Sequence, residues 1–276
     1  MAATQPFDRP NRPLTVYAGL FTLFLYIPIL FIPLFSFNSG LYARFPLQEF
    51  TLVWYAELWT RGPVFAALQN SLQVGVTVAV ISTVLAVPAA KALARYRMPG
   101  KGPILGFMLL PLVVPGLIFG VALLVLVSRL GIPLSLWTVG LGHVIICLPF
   151  AISILLPRFE GSNRSLEEAS ADLGENAWWT FWRVTFPNIL PGVLASLLLT
   201  FTVSFDEFII AFFLSGTDPT LPMYLWNQLR FPQSFPSLLA LSTLILVVSF
   251  GMVFVSLSLA RIGQGRSGPA SGPNTH

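Results

Sequence analysis

Asp206 and Glu207 stand side by side in a run, 189–214, that carries no other charge. A charged residue at the centre of a membrane helix costs about 2.5–3.5 kcal/mol on insertion scales, and such residues face a bundle interior or water. Neighbouring positions lie about 100° apart on a helix, so one of the two is expected to face a pathway squarely while the other meets a neighbouring helix. Either the pair passes or attracts a cationic solute, or one acid pairs with a basic residue or a backbone group and locks the helix. In the outer loop that follows, Trp226, Asn227 and Arg230 either touch a delivered solute or anchor the chain at the membrane interface. Other chemistry is thinly provided. His143 lies in an apolar run and reads as hydrogen-bonded to another helix; His276 is in the tail; Cys147 is the only cysteine. No metal site and no nucleophilic triad can be assembled from these. No glycine-rich stretch ends in Gly-Lys-Ser/Thr, so a phosphate loop is absent and any nucleotide chemistry belongs to another chain. An enzyme is therefore not expected.

The elements that must position the acids follow from composition. Of 276 residues, 55% are hydrophobic and 9% charged, whereas a soluble domain carries roughly a quarter charged residues. Most of the surface must face something other than water, and a bilayer is the available solvent. The expected fold is all-α and polytopic, with six transmembrane helices at about 14–37, 65–93, 104–127, 136–156, 189–214 and 237–260. The first is read as a retained span, since its apolar stretch is too long for a signal peptide. Residues 1–13 form an N-terminal segment, 157–187 a long polar loop, and 261–276 a Gly/Ser/Pro tail expected to be disordered. With six spans both termini share one side. That side would hold Arg9, Arg12, Lys91, Arg95, Arg97, Lys101, Arg158, Arg164, Arg183, Arg261 and Arg266. The other would hold Arg44, Arg61, Arg129 and Arg230. The imbalance places the termini and the polar loop in the cytoplasm. It also accounts for the net charge of +4 without a nucleic-acid partner.

Within the polar loop, Ser165 followed by Glu168 predicts a capping box and a short helix. Gly174 ends it, being suited to the left-handed conformation after the last turn. A second helix carries Trp178, Trp179 and Trp182 to Pro187, where the chain is expected to turn into the fifth span. The small residues of this helix–Gly–helix elbow, Ala169, Ser170 and Ala171, would let another surface approach closely.

The spacing Glu168-Ala169-Ser170, three residues, Gly174, nine residues, Val184-Thr185-Phe186-Pro187 resembles the EAA loop of ABC importer permeases. It departs from that pattern at Ser170, Val184 and Phe186. The resemblance covers the chain from the first span onward. A narrower one, to the second permease of spermidine/putrescine-type importers, rests on Phe201–Gly216, Leu221–Trp226 and Asn70-Ser71-Leu72. It implies a bacterial inner-membrane permease that pairs with a homologous permease above two ATP-binding subunits, served by an extracytoplasmic binding protein. ATP and Mg would be held by the ATPase, with no cofactor in this chain. The loop would be the coupling helix: Glu168, Ala169 and Ser170 on the docking helix, Gly174 at the turn, Arg183 and Pro187 bracing the return. Two alternatives stand beside this reading, a proton-coupled carrier using Asp206 and Glu207 as relay and a membrane enzyme.

Overall fold

The computed structural model describes residues 12–60 and 62–264. The helices are α1 (Arg12–Ser36), α2 (Val53–Thr60), α3 (Gly62–Arg95), α4 (Lys101–Leu109), α5 (Gly116–Arg129) and α6 (Leu136–Gly161). They continue with α7 (Arg164–Asp172), α8 (Ala177–Thr180), α9 (Phe186–Asp206), α10 (Ile209–Leu214), α11 (Leu221–Gln228) and α12 (Phe235–Gln264). Among the described residues the only extended pairing is an isolated bridge between Asn38 and Phe50. An all-helical chain is what a bilayer demands, because each backbone N–H and C=O must be satisfied within its own segment.

Among the described residues four helices are long and apolar enough to cross a membrane: α1, α3, α6 and the continuous run Ala177–Asp206. A fifth crossing is available if the bent pair Lys101–Leu112 and Gly116–Arg129 counts as one span. The expected third span, 104–127, interrupted by Pro111 and Pro115, is sharply bent: the chain turns by 96° there. Pro111 and Pro115 each lack a backbone N–H and clash with the preceding turn. Val113 and Val114 N–H groups fall back on the Leu110 carbonyl, and Pro115 is extended at ψ 129°. In place of the expected sixth span, a shorter apolar stretch, Pro232–Val248, takes in the first part of α12. That helix continues to Gln264, past the expected end at Ala260. Residues 1–11 and 265–276 of the two terminal segments lie outside the described residues.

The chain divides into two compact units, one from the described parts of Met1–Arg61 and Gln228–His276, the other Gly62–Asn227. In the first, α1 and α2 each pack on α12. The loop from α1 to α2 closes on Asn38. Its side-chain oxygen accepts the Gln48 N–H at 2.8 Å, and its carbonyl accepts Trp54 Nε1–H at 2.8 Å. Ser237 donates to Glu57 at 3.1 Å, joining α12 to α2.

The second unit is built on α3, α6 and α9, which pack against one another. On α3, Ala67, Ser71, Gly75, Ala79 and Thr83 recur at every fourth position and are all buried. Small residues on one stripe let membrane helices approach closely where dispersion, rather than a hydrophobic drive, holds them. Two apolar clusters result. One contains Ala86, Ala90, Leu93, Ile152, Leu155 and Phe159; the other contains Val78, Val139, Cys147, Ile210 and Leu214. After α10 comes Gly216, with φ +64°, where an added Cβ would clash with the Leu134 carbonyl oxygen at 2.5 Å. Both facts forbid a side chain. Gly216→Ala is expected to destabilise by roughly 1–3 kcal/mol, read as a lower Tm in detergent; an unchanged Tm would contradict this account.

Candidate functional site

Three features of the Gly62–Asn227 unit carry the candidate chemistry: the segment after α6, the acid pair, and a polar seam between the helices.

The sixth helix runs to Gly161, so Pro157–Gly161 belongs to it and the loop begins later than expected. The short helix starts at Arg164, capped by Asn163, whose side-chain oxygen accepts the Ser165 N–H at 3.1 Å. The expected Ser165/Glu168 capping box is thus corrected. Ser165 lies one residue inside the helix and its hydroxyl donates to the same Asn163 oxygen at 2.8 Å. Glu168 instead pairs with Arg164 one turn back at 3.0 Å, both side chains exposed.

Gly174 ends α7 as expected, with φ +89°. Its N–H bonds to the Ala171 carbonyl and the Glu175 N–H to the Ser170 carbonyl. This is the doubly bonded Schellman closure, which needs a left-handed residue at the position Gly174 fills. Asn176 then caps α8 by accepting from Trp178 and Trp179 N–H groups. The result folds α8 back on α7, and Ser170 and Thr180 hydroxyls meet across the turn at 3.0 Å, buried.

The expected turn at Pro187 is also corrected. Ala177–Asp206 is one continuous helix, with a π-helical turn over Phe181–Thr185. Pro187 has no N–H to give, and its ring crowds the carbonyl four residues back; the widened turn just before it, where Phe186 N–H reaches the Phe181 carbonyl, accommodates both. Arg183 pairs with Glu175 and lies 4.7 Å over the Trp179 ring.

What sequence reasoning missed is how this segment is held to the rest of the unit. Arg95, the last residue of α3, donates through one guanidinium nitrogen to the Ser162 carbonyl and to Glu167, both at 3.1 Å. The Arg95 and Glu167 side chains are only 12% and 18% exposed. Nearby, Lys91 sits 5.0 Å over the Phe181 ring. A cavity of about 280 Å³, whose lining includes Lys91, Arg95, Arg164, Glu167, Glu175 and Thr180, lies between these groups. A basic residue ending one apolar helix and an acid opening the polar segment were visible as types, but not as partners.

The acid pair does not sit inside a continuous span, correcting the expected run 189–214. The ninth helix ends at Asp206, Glu207 is extended at ψ 115°, and α10 begins at Ile209. Glu207 Oε1 accepts the N–H groups of Ile209 at 2.8 Å and Ile210 at 3.1 Å. It therefore satisfies donors that the start of a helix leaves orphaned. The backbone-locking role, left open for one of the two acids, falls to Glu207. Asp206 is exposed and has no bonded partner among the described residues. The Trp226 ring lies 5.3 Å from that of Phe208, tilted by 46°, which brings it to the break rather than out to a loop tip; Asn227 and Arg230 are exposed.

Beside the break runs a buried polar seam. Thr83 meets Ser196 at 3.0 Å, His143 Nδ1 meets Ser204 at 2.9 Å, and the Cys147 thiol points to the Thr200 carbonyl at 3.6 Å. His143 is thus an interhelical partner, as its apolar surroundings suggested. Asn70 donates to the Pro219 carbonyl at 3.0 Å, and Ser71 accepts the Leu221 N–H at 2.7 Å. These bonds pin the loop after α10 to α3. Among the described residues no group of three or more His, Cys, Asp or Glu could hold a metal ion.

Comparison with known proteins places this architecture. Residues 82–264 match the family model described as binding-protein-dependent transport system inner membrane component. The chain is 34% identical over 241 residues to the spermidine/putrescine transport system permease protein PotC of Escherichia coli (strain K12), covering 86% of this chain and 90% of that one. It is also 34% identical over 231 residues to the putrescine transport system permease protein PotI of the same organism, covering 81% and 82%. A crystal structure of a bacterial ABC transporter involved in the import of the acidic polysaccharide alginate superposes with TM-score 0.71 at 20% identity, covering 92% of this chain and 99% of that one, a likeness of fold. The chain is a multi-pass membrane protein that belongs to the family of binding-protein-dependent transport system inner membrane components.

Proposed function

We propose that this chain is one of two permease subunits of an ATP-driven importer in a bacterial inner membrane, and that it forms half of the pathway for a small organic cation of the polyamine type. The observation that carries the reading is the short helix α7 with Glu168 and Ala169 exposed, ended by a Schellman turn at Gly174 and pinned to α3 by Arg95. A helix displayed in this way suits docking into a separate ATPase. The names of the relatives, permeases for spermidine and putrescine, support the substrate class. Six crossings, with both termini in the cytoplasm, agree with the distribution of arginine and lysine.

In this assembly two ATPase subunits bind ATP and Mg, and an extracytoplasmic protein delivers the solute. Glu168, Ala169 and Ser170 form the docking helix and its base, Gly174 its hinge, and Arg183 the brace through Glu175. Asp206, beside Trp226, meets the cation. The engagement of Glu207 with backbone N–H groups weighs against a two-acid proton relay.

The test is affinity purification of the chain from its native host in mild detergent. Wild type is expected to bring down both an ATPase and a second permease. Gly174→Asp strains a backbone at φ +89° and Glu168→Lys reverses an exposed charge. Both are expected to lose the ATPase while keeping the second permease. Transport without any co-purifying ATPase would overturn the reading.

A further inference from the structure

The third helix carries a polar stripe that the packing of the chain does not use. Gln69, Gln73 and Thr77 follow one another at every fourth position, so they line one face with side chains about 6 Å apart. All three are exposed and none has a hydrogen-bond partner among the described residues. They lie along an open concavity of about 800 Å³, with Leu68, Leu72 and Val76 beside them.

The depth of this stripe can be fixed against the acid pair. The helices α3 and α9 run antiparallel, since Thr83 meets Ser196 while Gly75 lies against the Phe201 ring. At about 1.5 Å per residue, Asp206 lies roughly 7.5 Å beyond Phe201. Gln73 and Gln69 lie about 3 and 9 Å beyond Gly75 in the same direction. The carboxylate is therefore level with the interval between the two glutamines.

Three surroundings could receive the stripe. In hydrocarbon the amides would be left unsatisfied at considerable cost. Against the second permease, close helix contact favours Gly and Ala, whereas this face bears long glutamines over an open hollow. Water in a translocation pathway satisfies the amides.

Resting on the reading above, we infer that Gln69, Gln73 and Thr77 form a solute-facing track, whose amide and hydroxyl oxygens accept hydrogen bonds from the ammonium groups of a polyamine as it passes Asp206. The repeat along the helix is of the same order as the separation of two nitrogens joined by three or four methylenes. Neutral acceptors hold a cation without trapping it, which a row of carboxylates would do.

The experiment uses the assembled transporter with its partner subunits. Gln73→Cys is treated with a water-soluble, membrane-impermeant thiol reagent and labelling is read on this chain after the subunits are separated; Cys147, the only native cysteine of this chain, is buried. Labelling is expected, slowed about tenfold by saturating spermidine. Gln69→Leu combined with Gln73→Leu is expected to keep the partner subunits and to raise the half-saturating spermidine concentration at least about tenfold, as loss of bonds to a charged donor implies. An unlabelled Gln73→Cys, together with loss of the second permease in the leucine variant, would make the stripe a subunit interface and overturn the inference. Labelling that spermidine does not slow, with wild-type uptake by the leucine variant, would overturn it equally. If the wild-type complex takes up neither spermidine nor putrescine, the polyamine reading falls. Labelling of Gln73→Cys then still decides whether the track faces water, and an unlabelled variant overturns it.

Discussion

Arg95→Glu is expected to reduce solute uptake to background, and adding Glu167→Arg to restore a substantial part of it. The wild-type pair is 3.1 Å apart, with both side chains mostly buried, and Arg95 also holds the Ser162 carbonyl. Removing one partner of a buried pair costs roughly 3–5 kcal/mol because the other charge stays behind unpaired. Placing two carboxylates there adds repulsion. The pair joins the end of a 34-residue helix to the short helix proposed to meet the ATPase. Its loss should therefore cut the link between ATP hydrolysis and the membrane helices before it unfolds either. The distinguishing readout is ATPase activity in the reconstituted complex, which should persist without proportionate transport. Uptake above half of wild type in Arg95→Glu alone, or no recovery in the swapped pair when both variants assemble, would refute the pair as the link.

The second large effect separates the two adjacent acids. Asp206→Asn is expected to lower uptake ~10- to 100-fold, with membrane expression and thermal stability unchanged. At an effective dielectric near 20, a charge pair about 4 Å apart is worth roughly 4 kcal/mol; water at the exposed carboxylate screens part of it, and the remaining one to two thirds corresponds to about one to two factors of ten at 1.4 kcal/mol each. Glu207→Gln is expected to be mild, because the amide oxygen can still accept the Ile209 and Ile210 N–H groups. Glu207→Ala leaves those donors orphaned, which costs about 0.5–2 kcal/mol and should lower Tm. Equal loss of uptake in Asp206→Asn and Glu207→Gln would return both acids to the pathway. Normal uptake in Asp206→Asn would remove Asp206 from it.

Much of this chain could be read from single residues because the bilayer imposes simple rules. Apolar runs near 20 residues must be helices, since no other conformation satisfies its own backbone in hydrocarbon. Gly174 predicted its own turn, because a left-handed residue is a local requirement that one residue type meets. The spacing around it was enough to suggest the family, which the match over residues 82–264 then established.

Other features depended on contacts between segments far apart in the chain. Pro111 and Pro115 announce missing donors, but whether a helix kinks or turns by 96° depends on which carbonyls rescue the neighbouring groups. Nothing local distinguishes Asp206 from Glu207; the side chain of one reaches the backbone of the next helix, and that contact exists only once the chain breaks between them. Arg95 finds Glu167 seventy-two residues away, and Thr83 finds Ser196 across 113. Sequence thus determined the solvent, the helical character of the apolar runs and the position of the Gly174 turn, all set by short-range backbone demands. Which polar groups are spent holding helices together, and which are left for a solute, was decided only when the helices packed.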